Sequence, residues 1–354
     1  MIRVTAPGKM ILLGEYAVLE DAPALVCAVD VRASVQIGRL AGNEFVFSAP
    51  SLNLHELPFV ILPNAHVRFD PALGQEALRK LTLFAGIMEY VYSRLPDPLK
   101  NQGLRIAINT DAFYAEQFHS KMGFGSSAAF CAALVKGLVV ISKLDMTEAQ
   151  IFRLALSAHH HAQGKMGSGI DVAASYFGGY LHYERIYEND PVNKLPQPVS
   201  PCAGLYFRPV FTGKSASTTK LVGGVKQLKE KRPEVYDPIM ERLKALSVQG
   251  LQAFEQRQVE LFLEKVREFY ITLKNLGDQS GMPIISGVHQ KLADLAHRAG
   301  VVYKPSGAGS GDIGLIFSDD RQRFSEAITI IKNSGYFPLD VDVATEGVRL
   351  EKSF

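Results

Sequence analysis

The chain has 354 residues, 47% of them apolar and 21% charged. That is enough apolar material for a large core, and it excludes disorder, a collagen-like repeat and a disulfide-stapled miniprotein. There are 38 Lys and Arg against 36 Asp and Glu, a net charge of +2. No global field draws such a chain to nucleic acid or to an anionic membrane, so neither is expected as a partner, and an anionic ligand must meet local clusters.

At about 150 residues per domain the length predicts two domains. Cys27, Cys131 and Cys202 are odd in number and far apart, without metal-ligand spacing. They read as reduced, buried thiols and point to a cytoplasmic protein. The apolar run at 10–13 is cut by Gly14 and Glu15, too short for a signal peptide. Lys136 breaks the longest apolar stretch, 131–141, below the ~18 residues that a membrane span needs.

Short β-branched and apolar runs at 3–5, 10–13, 24–29 and 33–37, divided by Gly, Pro and Asp, predict strands, and 104–108 predicts another. The nearly all-apolar run 130–140 predicts a buried helix, and Thr147 caps a second one reaching His161. Residues 178–183 return to strand. The proline-rich stretch 190–201 reads as a linker and marks the expected domain boundary. Beyond it come a strand at 204–210 and then mostly helices. Val259, Phe262, Val266, Phe269 and Leu273 step by three and four, the stripe of a core-facing helix. Strands at 301–303, 314–317 and 341–343 surround a last helix at 323–332.

Three glycine-rich segments carry the chemistry. Gly123-Phe124-Gly125-Ser126-Ser127-Ala128-Ala129 runs straight into the apolar helix. Glycines let backbone approach a ligand closely, and free amides at a helix start attract anions. The two hydroxyls add donors for phosphate or an oxygen for Mg²⁺. Gly167-Ser168-Gly169-Ile170-Asp171 places an acid at the mouth of a turn, either a helix cap or a catalytic carboxylate. Ser306-Gly307-Ala308-Gly309-Ser310-Gly311-Asp312 runs on to Gly314, and Gly309 to Gly314 fits the dinucleotide pattern of glycines, but it feeds a strand rather than a helix, which excludes a Rossmann site. Two further patterns mislead. Gly213-Lys214-Ser215 lacks the first glycine of a Walker A loop, because Arg208 stands there. His159, His160 and His161 are consecutive on a helix and point apart, so they cannot converge on one metal.

These loops, in this order and preceded by Ala6-Pro7-Gly8-Lys9-Met10-Ile11-Leu12-Leu13-Gly14-Glu15-Tyr16, resemble the GHMP kinase superfamily. Within it, 162–174, 213–222 and 304–312 resemble the phosphomevalonate kinases most. The resemblance implies an α+β fold of two domains, 1–190 like ribosomal protein S5 domain 2 and 200–354 ferredoxin-like, with the site between them. It implies ATP and Mg²⁺ as cofactors. Gly123, Phe124, Gly125, Ser126, Ser127 and Ala128 would wrap the ATP phosphates, with Ser127 facing the metal. Lys9 and Asp171 match the family's catalytic pair. Tyr16, Ser168, Gly169, Ser217, Lys220, Ser306, Gly307, Ala308 and Gly309 would bind the acceptor, a small phosphorylated acid, in a monomer or homodimer. Lys165, Lys214 and Lys304 would add positive charge. The mevalonate kinases carry a Mg²⁺-binding glutamate in the helix before the Asp loop, whereas 159–165 here holds no carboxylate. Mevalonate kinase and sugar kinases remain the alternatives. Residues 57–75 are the expected nucleotide-flanking loop.

Overall fold

The computed structural model describes residues 1–96, 102–115, 120–164 and 167–351. Two strands continue where the sequence predicts breaks. Strand β1 (Ile2–Leu13) passes through Pro7 and Gly8, and β2 (Ala24–Arg39) passes through Asp30. They pair antiparallel, and the register slips between Pro7 and Gly8. The irregularity lets the strand bend at a residue that has no N–H to donate, instead of ending there. A side chain at Gly8 would lie 2.7 Å from the Phe124 carbonyl oxygen. Only glycine lets β1 press against the 123–125 turn, where the Lys9 amide donates to that oxygen at 2.8 Å.

Strands β3 (Phe45–Ala49), β4 (Leu54–Ile61) and β5 (Val67–Phe69) precede helix α1 (Gly74–Tyr92) and β6 (Leu104–Asn109). The expected loop at 57–75 instead holds the end of β4, all of β5 and the start of α1, and none of it lines the cleft described below. After the two-residue strands β7 (Tyr114–Ala115) and β8 (Ser120–Lys121) come α2 (Ser126–Ile141), α3 (Glu148–Ala162), α4 (Ile170–Phe177), β9 (Tyr180–Tyr183) and β10 (Gln197–Val199). The first sheet runs β10-β9-β2-β6-β3-β4-β5, with β1 on the other edge of β2. Helix α2 lies directly on β1 and β2. Its small residues allow this: a Cβ on Gly137 would sit 2.7 Å from the Ile37 side chain. Thr147 caps α3 as the sequence predicts, and Gln150 closes a capping box with it.

Strand β11 (Tyr206–Phe211) opens a four-stranded antiparallel sheet. Helices α5 (Thr218–Lys231), α6 (Pro233–Glu255), α7 (Val259–Ser280) and α8 (Gly287–Arg298) follow. Then come β12 (Val302–Ser306), β13 (Ile313–Ser318), α9 (Arg321–Asn333), β14 (Phe337–Pro338) and β15 (Arg349–Glu351). The stripe on α7 is the expected one: Phe262, Val266, Phe269 and Leu273 are wholly buried. The strand predicted at 341–343 is reduced to one bridge, Val29 to Val343.

The proline-rich segment is tied to the first sheet, because β10 pairs with β9. The last strand returns there too, with Arg3 opposite Glu351. One apolar core spans both sheets, from Leu13 and Phe124 to Phe254, Phe262 and Phe317. The three cysteines are free and buried within it or at its edge. Among the described residues no helix is long and apolar enough to cross a membrane.

Candidate active site

The loops leading into α2, α4, α5 and β13 meet over β1 and surround a cleft of about 660 Å³, with a pocket of about 120 Å³ beside it. Gly123 and Gly125 hold left-handed backbone, φ 86° and 78°. Gly125 starts α2. A Cβ on Gly123 would lie 2.4 Å from that of Asp312, and one on Gly125 would lie 3.2 Å from the Lys9 side chain. Both glycines are thus fixed by close approach as well as by φ. The first amides of a helix have no acceptor within it, and here Ser126 and Ser127 present them to the cleft. Phe124 anchors the turn in the core.

Lys9 and Asp171 come together. The Lys9 ammonium, almost wholly buried, lies 3.4 Å from Asp171 Oδ1, while the Asp171 side chain is 37% exposed. Asp171 is not the cap of α4. Gly169 holds the N-cap position with left-handed backbone and no side-chain cap, and the Ser168 hydroxyl before it accepts the Ile170 amide at 3.3 Å. The Tyr183 hydroxyl donates to the Ser168 carbonyl at 2.6 Å and fixes the turn. The carboxylate is left free to face the cleft.

Ser127 Oγ lies 3.3 Å from Gln163 Nε2, which donates to it, and 3.4 Å from His159 Nε2. Burial pushes the His159 imidazole down to about 4, against the attraction of Asp171. It is neutral at pH 7. The three histidines diverge as expected: His159 reaches Ser127, His161 stacks on Tyr90, and His160 lies between the cleft and a second cavity. Among the described residues no group of three His, Cys, Asp or Glu could hold a metal.

The third glycine-rich loop joins the site from the second sheet. The Ser306 hydroxyl accepts the Ile11 amide at 2.9 Å and donates to the Ile11 carbonyl at 3.0 Å, clamping β12 to β1. The Tyr16 hydroxyl donates to the Ala308 carbonyl at 2.7 Å, and Gly307 and Ala308 line both cavities. Gly309 does not line them; it packs on Ile284, whose carbonyl oxygen would lie 2.3 Å from a Cβ. Ser217 and Lys220 are exposed beside the cleft, and their neighbours Ser215, Thr218 and Thr219 form its wall.

Lys304 departs most from expectation. It is wholly buried and paired with Glu15, and it also donates to the Pro305 carbonyl at 2.6 Å. It contributes no charge to the cleft surface. Burial pushes the Glu15 carboxyl up and the Lys304 ammonium down, each opposed by the other's charge. Lys165 lies outside the described residues.

Two charged lining residues were given no role from the sequence. Lys121 is exposed at the rim. Asp312 places a second carboxyl in the cleft, accepting the Ala216 amide at 3.1 Å. Burial raises its affinity for a proton, against that hydrogen bond and the Lys9 charge. The available signal was an acid closing a glycine-rich loop.

Residues 82–179 match the model of the GHMP kinases N terminal domain. The chain is 28% identical over 360 residues to mevalonate kinase of Thermococcus sibiricus, covering 99% of this chain and 98% of that one. It is also 28% identical, over 375 residues, to phosphomevalonate kinase of a Streptomyces species, covering 97% of each. Its fold is similar to that of Streptococcus pneumoniae phosphomevalonate kinase in complex with phosphomevalonate and AMPPNP. There the TM-score is 0.78 at 21% identity, covering 97% of this chain and 100% of that one. With the motif order, the fold and the matched segment in agreement, residues 82–179 form a GHMP kinase N-terminal domain.

Proposed function

We propose that the protein transfers the γ-phosphoryl group of ATP to 5-phosphomevalonate, forming 5-diphosphomevalonate in the mevalonate pathway of isoprenoid precursor synthesis. The observation that carries this reading is the Lys9–Asp171 pair, 3.4 Å apart, beside the amides and hydroxyls of the 123–128 turn. Phosphoryl transfer asks mainly for positioning and for positive charge around the transferring group. In this reading the turn and the start of α2 cradle the phosphates. Lys9, shielded from water, compensates charge more strongly than an exposed lysine.

The donor set fits a hard cation: Ser127, Asp171 and Asp312 line the cleft with oxygen. Ser127 would hold Mg²⁺ together with phosphate oxygens and water, and the ion would neutralise charge on the β- and γ-phosphates. The acceptor would lie in the smaller pocket, against Tyr16, Ser168, Gly307 and Ala308. The segment 213–220, which carries Ser217 and Lys220, would meet its phosphate.

The phosphorylated acceptor is favoured by what surrounds Ser127. Helix α3 brings it a neutral histidine and an amide, with no carboxylate. Lys9 and Lys121 line the cleft and Lys220 stands beside it, cations that two meeting phosphates require. A phosphate monoester has a second pKa of about 6 and is already an anion at neutral pH. Asp171 then orients Lys9 and the acceptor rather than removing a proton. We place the enzyme in the cytoplasm, as a monomer or homodimer.

An assay of ADP release over mevalonate, 5-phosphomevalonate and several sugars tests this reading. The expected result is turnover of 5-phosphomevalonate alone, with Asp171→Asn about tenfold slower. An alcohol acceptor would lose the full ~10²–10⁴-fold contribution of a general base. Faster turnover of mevalonate would move the protein to the mevalonate kinases, with Asp171 as base.

A further inference from the structure

His160 and Gly167 line two cavities, the cleft above and a second one of about 390 Å³. The second lies between the end of α1, the outer face of α3 and residues 185–188. Arg94, Arg153, Arg185, His160 and His161 line it, against a single carboxylate, Glu188. The nearby acids are engaged elsewhere: Asp190 accepts from Lys194 and the Tyr187 amide, and Asp21 accepts from the Tyr187 hydroxyl. In a chain of net charge +2 this is a concentration of positive charge, three guanidiniums against one lining carboxylate among the described residues.

The arginines are held in place with donors to spare. Arg94 stacks on the Tyr90 ring at 3.5 Å, and Arg185 lies over Tyr187 at 5.0 Å. Arg153 Nη2 donates to the carbonyls of Tyr187, Glu188 and Asp190 at 2.5–3.2 Å. Its Nη1 is buried without a partner among the described residues, and so is His160 Nε2. Both atoms are closed off from the open space of the cavity, so the groups that can reach an anion there are the exposed Arg94 and the half-buried Arg185 and Arg153 guanidiniums. Guanidinium forks held by ring stacking match phosphate oxygens in pairs. His160 Nε2 also lies beside Gly169, 3.5 Å from where a Cβ would stand, and Gly169 starts the helix that carries Asp171.

We propose that this cavity is a second anion site that takes the phosphate or diphosphate group of a small phosphorylated metabolite, and that its occupancy is felt in the catalytic cleft through His160 and Gly167. The site does not depend on which acceptor the cleft uses.

Inorganic pyrophosphate, titrated calorimetrically into the full chain with the cleft already filled by AMPPNP, is the probe. The expected result is one equivalent bound. Arg94→Gln, at an exposed position where folding is not at stake, should weaken it about tenfold, with nucleotide affinity and basal turnover unchanged. Lys9→Met should leave pyrophosphate binding intact. Pyrophosphate should shift the acceptor KM of the wild type and not that of Arg94→Gln. No binding to the filled protein would overturn the site, as would loss in Lys9→Met but not in Arg94→Gln. Citrate binding as tightly would overturn the phosphate assignment, and an unmoved KM would overturn the coupling.

Discussion

Lys9→Met is expected to slow phosphoryl transfer by about 10²–10³-fold, the cost of removing one preorganised charge from a reacting centre, while AMPPNP binds within a few-fold of normal. The Lys9 backbone holds the phosphate turn through its amide, 2.8 Å from the Phe124 carbonyl oxygen, and that bond survives the substitution. The methionine chain fills the same space along Gly125. Asp171, 37% exposed, keeps its contact with water when the ammonium is gone. The loss should therefore fall on the chemical step, read as single-turnover ADP release beside calorimetric nucleotide binding. Near-normal turnover would remove Lys9 from the mechanism.

Lys304→Met should destabilise the fold by about 3–5 kcal/mol, because it strands a buried carboxylate. Glu15 is 2% exposed, and its Oε2 has no partner even with Lys304 present. Burial already pushes the Glu15 carboxyl up, and Lys304 is the main group opposing it. Without the lysine its folded-state pKa rises further above the unfolded value. The folded state then binds the proton more tightly, so stability returns as the pH falls toward the unfolded value of Glu15 and is lost as the pH rises. Urea unfolding at pH 7 and pH 5 should show the larger loss at pH 7. Glu15→Gln combined with Lys304→Met should recover most of it. A loss below about 1 kcal/mol in the single variant would mean that the pair is not the closed ion pair described.

Much of the site was legible because its chemistry is local. A turn that needs φ 86° and 78° at two positions and then starts a buried helix leaves glycines, serines and alanines in order. Asp171 stood in one of those loops as cap or carboxylate, whereas Lys9 came only from the family resemblance. The direction of a side chain was not legible. Lys304 looked like a phosphate ligand by position, yet all five residues of β12 are buried, and its ammonium turns inward to Glu15. Asp312 was hidden by the glycines before it, and its contacts with Gly123 and Ala216 exist only once three loops have met. Pro7, Gly8 and Asp30 signalled strand ends, but pairing along twelve and sixteen residues overrode them. In 57–75 the strands were hidden because β4 carries Pro58 and several exposed residues and the edge strand β5 is only three residues long.

The most direct test is a crystal structure of the protein with AMPPNP and Mg²⁺. The expected result places the triphosphate along the amides of residues 123–128, with the γ-phosphate next to the Lys9 ammonium and the metal on Ser127. Nucleotide bound outside the cleft, or phosphates held away from both Lys9 and Ser127, would contradict it.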